Sequence, residues 1–244
     1  MPRFFIDKDQ ISDSALFIDG DDSRHIARSL RMAVGDELTV SDKNGQEYLC
    51  VLTKIRDDRC DADIISVRSS DTEPKCRITL FMAYPKGDKL ETVIQKAVEL
   101  GAHEIVPFES SRCVKRPKAD KASEKRARLA RIAEEAAKQC GRGCLPVISL
   151  PIKYEDVLAR AKEYDLPLFC YEGSNTLSLK SVLEKHDMPK SIAVVVGSEG
   201  GFSEDEAKNA VTAGFISVGL GPRILRCETA PDYALSCISY RYEL

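Results

Sequence analysis

The chain is poor in the residues that metal and hydrolytic chemistry draw on. Its 244 residues contain three histidines, His25, His103 and His186, too few for a His-rich metal set. They also make a Ser–His–Asp hydrolase a poor reading. Nine cysteines are present, but Cys140 and Cys144, the closest pair, have no second Cys or His pair to complete a zinc site. An odd number without framework spacing reads as reduced thiols, most of them serving as small core residues. No apolar run approaches the roughly 20 residues that span a bilayer. The opening Met1-Pro2-Arg3-Phe4-Phe5-Ile6-Asp7 turns acidic at once, unlike a secretory segment. The composition therefore leads us to expect a cytoplasmic protein without metal or membrane anchor. Internal repeats and low-complexity stretches are absent as well.

Several nucleotide and acyl-transfer motifs are also missing. No Gly-Lys-Ser/Thr is present for a P-loop. The run Gly219-Leu220-Gly221-Pro222-Arg223-Ile224 lacks the third glycine of a dinucleotide fingerprint. In Gly197-Ser198-Glu199-Gly200 the serine stands one place too early for a nucleophile elbow.

What the chain does carry is uneven charge and a change of pattern. The formal net charge is −3. Yet residues 112–131 hold nine Lys or Arg against Asp120 and Glu124, a net +7 in twenty positions. Such a strip reads either as a phosphate-binding surface or as a solvated helix face. Residues 1 to about 70 read as short strands: Glu37–Ser41 and Glu47–Leu52 flank the turn Asp42-Lys43-Asn44-Gly45, and Cys60–Val67 alternates again. A short basic helix over 23–30 interrupts them. Ser69–Lys75 reads as a linker. From Cys76 the pattern becomes α/β, with a strand over 76–83, a helix from Lys89 stopping at Gly101, a strand over 104–108 and a long basic helix over 119–139. Alternation continues through 153–161, 167–171 and 179–184.

Two β-branched runs then stop at glycine: Ile192–Val196 before Gly197-Ser198-Glu199-Gly200-Gly201-Phe202, and Ile216–Val218 before Gly219-Leu220-Gly221-Pro222. Loops like these at the carboxyl ends of neighbouring parallel strands wall a pocket with main chain. Backbone groups beside Leu220, Ile224 and Leu225 suit an adenine ring, whose edges need hydrogen bonds and whose faces need aliphatic cover.

The runs Gly197–Ser203 and Leu220-Gly221-Pro222-Arg223-Ile224-Leu225-Arg226-Cys227-Glu228-Thr229-Ala230 resemble the loops of SPOUT methyltransferases with a C-terminal trefoil knot. More narrowly, the chain resembles the RsmE family, which methylates N3 of a uridine in small-subunit ribosomal RNA. His25–Arg31, Lys86-Gly87-Asp88, Gln95–Gly101 and Glu135–Arg142 extend the match over nearly the whole chain. Two positions depart from it. Ser198 stands where the family usually has Pro, and Cys227 where it usually has Thr. Both replacements are small, so a looser first turn is expected rather than a lost activity.

The resemblance implies a PUA-like RNA-binding β-barrel over 1–72. It also implies a knotted SPOUT methyltransferase domain with a parallel sheet over 73–244. S-adenosylmethionine would contact Tyr171, Glu172, Gly197, Ser198, Gly200, Leu220, Gly221, Ile224, Leu225, Thr229 and Ala230. Arg112 and Arg226 are expected to stabilise charge on the target ring. Glu199 or Glu228 would accept its proton if burial raised the pKa, whereas an ion-paired carboxylate would be structural. RNA would meet Arg3, Arg24, His25, Arg28, Arg31, Lys115 and Arg116. The expected partners are 16S rRNA or the assembled small subunit, together with a second copy of the chain, since the last helix carries Tyr233, Leu235, Ile238, Tyr240 and Tyr242. Action on another nucleotide and a non-catalytic RNA-binding assembly factor are the alternatives.

Overall fold

The computed structural model describes residues 1–114 and 119–244. It divides into two compact units, Met1–Glu73 with Ala137–Leu145, and Pro74–Ala136 with Pro146–Leu244.

In the first unit, β1 (Arg3–Phe5), β2 (Ala15–Asp19), β3 (Glu37–Ser41), β4 (Gln46–Ile55) and β5 (Arg59–Ser69) form one curled sheet ordered β1-β3-β4-β5-β2. The β1–β3 pair is parallel and the others are antiparallel. Two register shifts in the β4–β5 ladder bend these long strands, because each extra residue increases local twist. The hairpin turn forms as its sequence suggests. Asp42 accepts the N–H groups of Asn44 and Gln46, while Lys43 and Gly45 take positive φ. Alternate strand residues, among them Phe4, Ile18, Leu38, Val40 and Leu52, fill the core. The basic helix starts earlier than its pattern suggested, as α1 (Gly20–Arg24), and widens into a π turn over His25–Ser29. Ile26 is fully buried and pins this turn.

Residues Ala137–Leu145 join this unit through charge. Arg142, itself buried, donates to Glu73 at 2.6 Å, and Glu73 also accepts the Gly143 and Cys144 N–H groups. Hydrogen bonds that no periodic pattern records thus place a distant segment beside the curled sheet.

The second unit contains β6 (Arg77–Ala83), α2 (Lys89–Glu99), β7 (Glu104–Glu109), most of α3 (Ala122–Cys140), β8 (Val147–Ile148), β9 (Ile152–Lys153), α4 (Tyr154–Ala159), β10 (Leu166–Cys170), β11 (Leu177–Ser178), α5 (Leu179–Lys185), β12 (Ser191–Val196), α6 (Glu204–Ala213), β13 (Ile216–Gly219) and α7 (Thr229–Tyr242). Its sheet runs β11-β13-β10-β12-β6-β7-β8, with β9 also on β7, and every pairing is parallel. Strands β6 and β12 are buried along almost their whole length, as expected for a parallel sheet covered on both faces.

Because the strands are parallel, the loops after β6, β7, β10, β12 and β13 leave from one edge. Consecutive strands β10 and β11 both pair with β13, so residues 171–176 arch over the end of the strand between them. A β-carbon at Gly219 would come within 2.9 Å of Thr176 Oγ1, so a side chain here would require the arch's Thr176 to shift. Such an arch is what a threaded C-terminal segment requires.

Candidate active site

Residues at the ends of β10, β12 and β13 enclose a cavity of about 640 Å³. One wall is the turn Gly197–Gly201. Its geometry demands glycine: a β-carbon on Gly200 would lie 2.9 Å from that of Arg112, and one on Gly201 2.2 Å from a Glu172 carboxylate oxygen. Gly201 also takes φ +61°, which favours glycine independently. The turn closes with the Gly201 N–H donating to the Ser198 carbonyl at 2.9 Å. Phe202 anchors it from below, buried against Phe169 at 4.3 Å and parallel to Phe108 at 6.3 Å between ring centres.

Helix α6 then begins with a capping box. Ser203 accepts the Glu206 N–H, and Glu206 accepts the Ser203 N–H in return. The other Glu206 oxygen accepts the Ser111 N–H at 2.7 Å. Burial pushes the Glu206 carboxyl up, but the N–H donors of Ser111 and Ser203 outweigh it and hold it below the ordinary carboxylate value. One carboxylate therefore ties the loop after β7 to the loop after β12. That tie sets Arg112 against the glycine turn, where its guanidinium donates to the Gly200 carbonyl at 3.1 Å.

Lys89, in the first turn of α2, organises the cavity's charge. Its ammonium sits 3.1 Å from Glu199 and 3.2 Å from Glu228. Glu199 also accepts the Lys86 N–H at 3.1 Å. Burial pushes both carboxyls up. The backbone N–H donors on Glu199, the Cys227 thiol on Glu228 and Lys89 on both outweigh it, so each sits below the ordinary value. A carboxyl raised by burial, the condition under which Glu199 or Glu228 would accept a proton readily, is therefore not found. The reason is these hydrogen-bond donors together with the lysine between the two carboxylates. Cys227 donates to Glu228 at 3.2 Å, and burial, then Glu228, pushes its thiol up to about 12. It stays protonated, a donor where the family's usual Thr would place a hydroxyl.

Of the residues expected around the cofactor, Tyr171, Glu172, Gly197, Ser198, Leu220, Gly221, Ile224, Leu225 and Ala230 line the cavity. Gly200 and Thr229 lie just outside its wall. Arg226 and Glu199 line it too, while Arg112 reaches its rim through Gly200. Sequence reasoning passed over Lys89 and Thr176. Lys89 did carry a signal, since it follows the turn Pro85-Lys86-Gly87-Asp88 at a strand's carboxyl end.

The residues expected to meet RNA fall into three groups. Arg24, His25, Arg28 and Arg31 are exposed on and after the π turn, with Arg24 paired to Asp21 and Arg28 to Asp57. Arg3 instead faces inward, its guanidinium 2.5 Å from the buried Glu47. Lys115 and Arg116 lie outside the described residues.

Comparison with known proteins bears on this site. A family model described as an RNA methyltransferase domain matches residues 72–239, and one described as an RNA methyltransferase PUA domain matches 18–65. The chain is 37% identical to ribosomal RNA small subunit methyltransferase E of Bacillus subtilis, over all of this chain and 98% of the relative. It is 35% identical to the protein of that name from Mesomycoplasma hyopneumoniae, over 82% of this chain and 88% of the relative. The crystal structure of the Neisseria gonorrhoeae ribosomal RNA small subunit methyltransferase E bound to S-adenosyl methionine superimposes with a TM-score of 0.89 at 31% identity, covering 99% of this chain and 98% of that one. Two matching domain models, full-length identity and a shared SPOUT architecture lead to one conclusion: the chain belongs to the ribosomal RNA small subunit methyltransferase E family.

Proposed function

We propose that this protein transfers a methyl group from S-adenosylmethionine to N3 of a uridine in 16S rRNA of the small ribosomal subunit. The observation that carries the reading is the main-chain-walled cavity between Gly197–Gly201 and Gly219–Cys227. About 640 Å³ lies inside the range of roughly 300–1,000 Å³ typical of small-molecule sites. Its wall combines the glycine-rich main chain of two loops with Leu220, Ile224 and Leu225, a lining that fits an adenosine. Among the described residues no group of three or more His, Cys, Asp or Glu side chains is placed to hold a metal ion. Gly197, Ser198, Gly221, Leu225 and Ala230 would hold the nucleoside, with Tyr171 and Glu172 on the arch above it.

When bound, S-adenosylmethionine supplies an electrophilic methyl group on a sulfonium. Uracil N3 must give up its proton, which leaves to solvent because neither Glu199 nor Glu228 is raised. The chain's own residues must orient N3 and stabilise the ring's charge. Arg112 and Arg226 serve that second task, since guanidinium groups at a cavity rim act strongly once substrate excludes water. Glu199 is assigned a positioning role. It anchors Lys89 and the Lys86 backbone, and its depressed pKa makes it a weak proton acceptor.

The exposed Arg24, His25, Arg28 and Arg31 of the PUA-like unit supply RNA contacts, and Arg3 supports them from within. Lys115 and Arg116 are proposed as further RNA contacts. The enzyme works as a homodimer in the cytoplasm, where its ribosomal substrate is. Arg112→Ala should retain S-adenosylmethionine binding in calorimetry and lose at least about 100-fold in transfer, the scale of one oxyanion-stabilising donor. Mass spectrometry of digested rRNA from a deletion strain should show one missing N3-methyluridine. Loss of a different nucleoside would replace the uridine assignment, and undiminished turnover by Arg112→Ala would remove that residue from the chemistry.

A further inference from the structure

The cations around the cavity are not used alike. Lys89, on the inner wall, is neutralised by Glu199 and Glu228. Lys86 and Arg223 stand further out and are exposed. Among the described residues neither has a carboxylate within ion-pair distance, although the basic residues elsewhere in this unit commonly do, as Arg128 with Glu91 and Arg160 with Glu104. The two are tied to different walls of the cavity. The Lys86 backbone is fixed to the glycine turn by its N–H bond to Glu199, and Arg223 lines the segment after β13. Beside Arg223, Ile224 is 87% exposed although it lines the same cavity.

Exposed, unpaired cations on two walls of a cavity, with an exposed apolar side chain beside one of them, match the chemistry of a nucleotide drawn out of its strand. The base enters the cavity, and the phosphodiesters on its two sides remain outside. Drawing a base out costs a few kcal/mol, and contacts that hold its phosphates offset part of that cost. Taking the proposed methyl transfer as given, we propose that Lys86 and Arg223 seat the phosphates flanking the target nucleotide, one on each wall. These residues fix the position of the strand and leave the reading of the base to the cavity. Lys86 gives a rotatable point charge, whereas Arg223 has a planar fork that engages two phosphate oxygens at once.

The test is filter binding of the full-length protein to small subunits isolated from a strain lacking the modification, across a range of salt concentrations. Lys86→Ala and Arg223→Ala should each weaken binding severalfold. Each should also flatten the plot of log affinity against log salt by about 0.7 to 1, the contribution of one phosphate contact. Lys86→Arg should restore the slope, because charge is retained. S-adenosylmethionine affinity of Lys86→Ala by calorimetry should stay within about twofold of wild type, since Lys86 is not among the residues lining the cavity. Wild-type slopes in both alanine variants would overturn the proposal. Failure of the wild-type protein to bind S-adenosylmethionine would instead overturn the methyl-transfer reading, and the slopes would still report on the phosphate contacts.

Discussion

At the residue scale, Ser198 and Cys227 are where this chain leaves its family's usual pattern, and they differ physically. Cys227 keeps a donor on Glu228. Ser198 has a buried hydroxyl with no hydrogen-bond partner among the described residues. A buried polar atom left unpaired costs about 1–3 kcal/mol. Ser198→Ala should therefore stabilise the protein by about 1 kcal/mol in urea unfolding, by removing a group that water can no longer solvate. A loss of stability would show that the hydroxyl has a partner after all. The turn of Gly197, Gly200 and Gly201 was legible from the sequence, because Gly197 stops a β-branched run and two more glycines follow within four residues. The partners that make each glycine necessary, Arg112 and Glu172, lie 88 and 29 residues away in the chain and left no local trace.

At the scale of elements, α6 matters more than its short length suggests. Its capping box faces the loop after β7, so Glu206 closes one helix start and fixes a second loop at the same time. Glu206→Gln should destabilise the fold by about 2 kcal/mol at neutral pH, the worth of hydrogen bonds to a charged acceptor. The sign of the pH dependence follows from the depressed folded-state pKa. The carboxylate's contribution is complete above its unfolded value near 4.3 and is lost as pH falls through the lower folded value. The gap between wild type and variant should close in acid, as followed by thermal unfolding from pH 7 to pH 3. A gap independent of pH would assign the effect to packing. Most of the longer strands and helices were readable from periodicity and glycine stops, but β2 and α6 were not. Short pieces such as β1, β8, β9 and β11 were not, since two or three residues carry no period and form only because a neighbouring strand is already in place.

At the scale of the molecule, α7 presents two large aromatic side chains to solvent. Leu235, Ile238 and Tyr242 are buried within their own unit, whereas Tyr233 and Tyr240 are 42% and 75% exposed. Seven residues apart, these two tyrosines share one helix face. They narrow the apolar excess expected of the last helix to a stripe that a second copy would cover. Light scattering at micromolar concentration should give twice the chain mass, and Tyr233→Glu with Tyr240→Glu should halve it. A monomeric wild type would remove the dimer from the proposed function.

The sequence alone determined the α/β class of the larger region, the strand-rich first region, the two glycine loops and the family. These depend on periodicity, on residues intolerant of a β-carbon and on the order of short motifs, all of them properties of neighbouring residues. Tertiary structure decided the rest. It brought Lys89 between Glu199 and Glu228, turned Arg3 inward onto Glu47, and carried Ala137–Leu145 to the first unit. Each of these is a charge interaction between residues distant in the chain. Coulombic pairing depends on separation in space and on burial, and a linear sequence specifies neither directly.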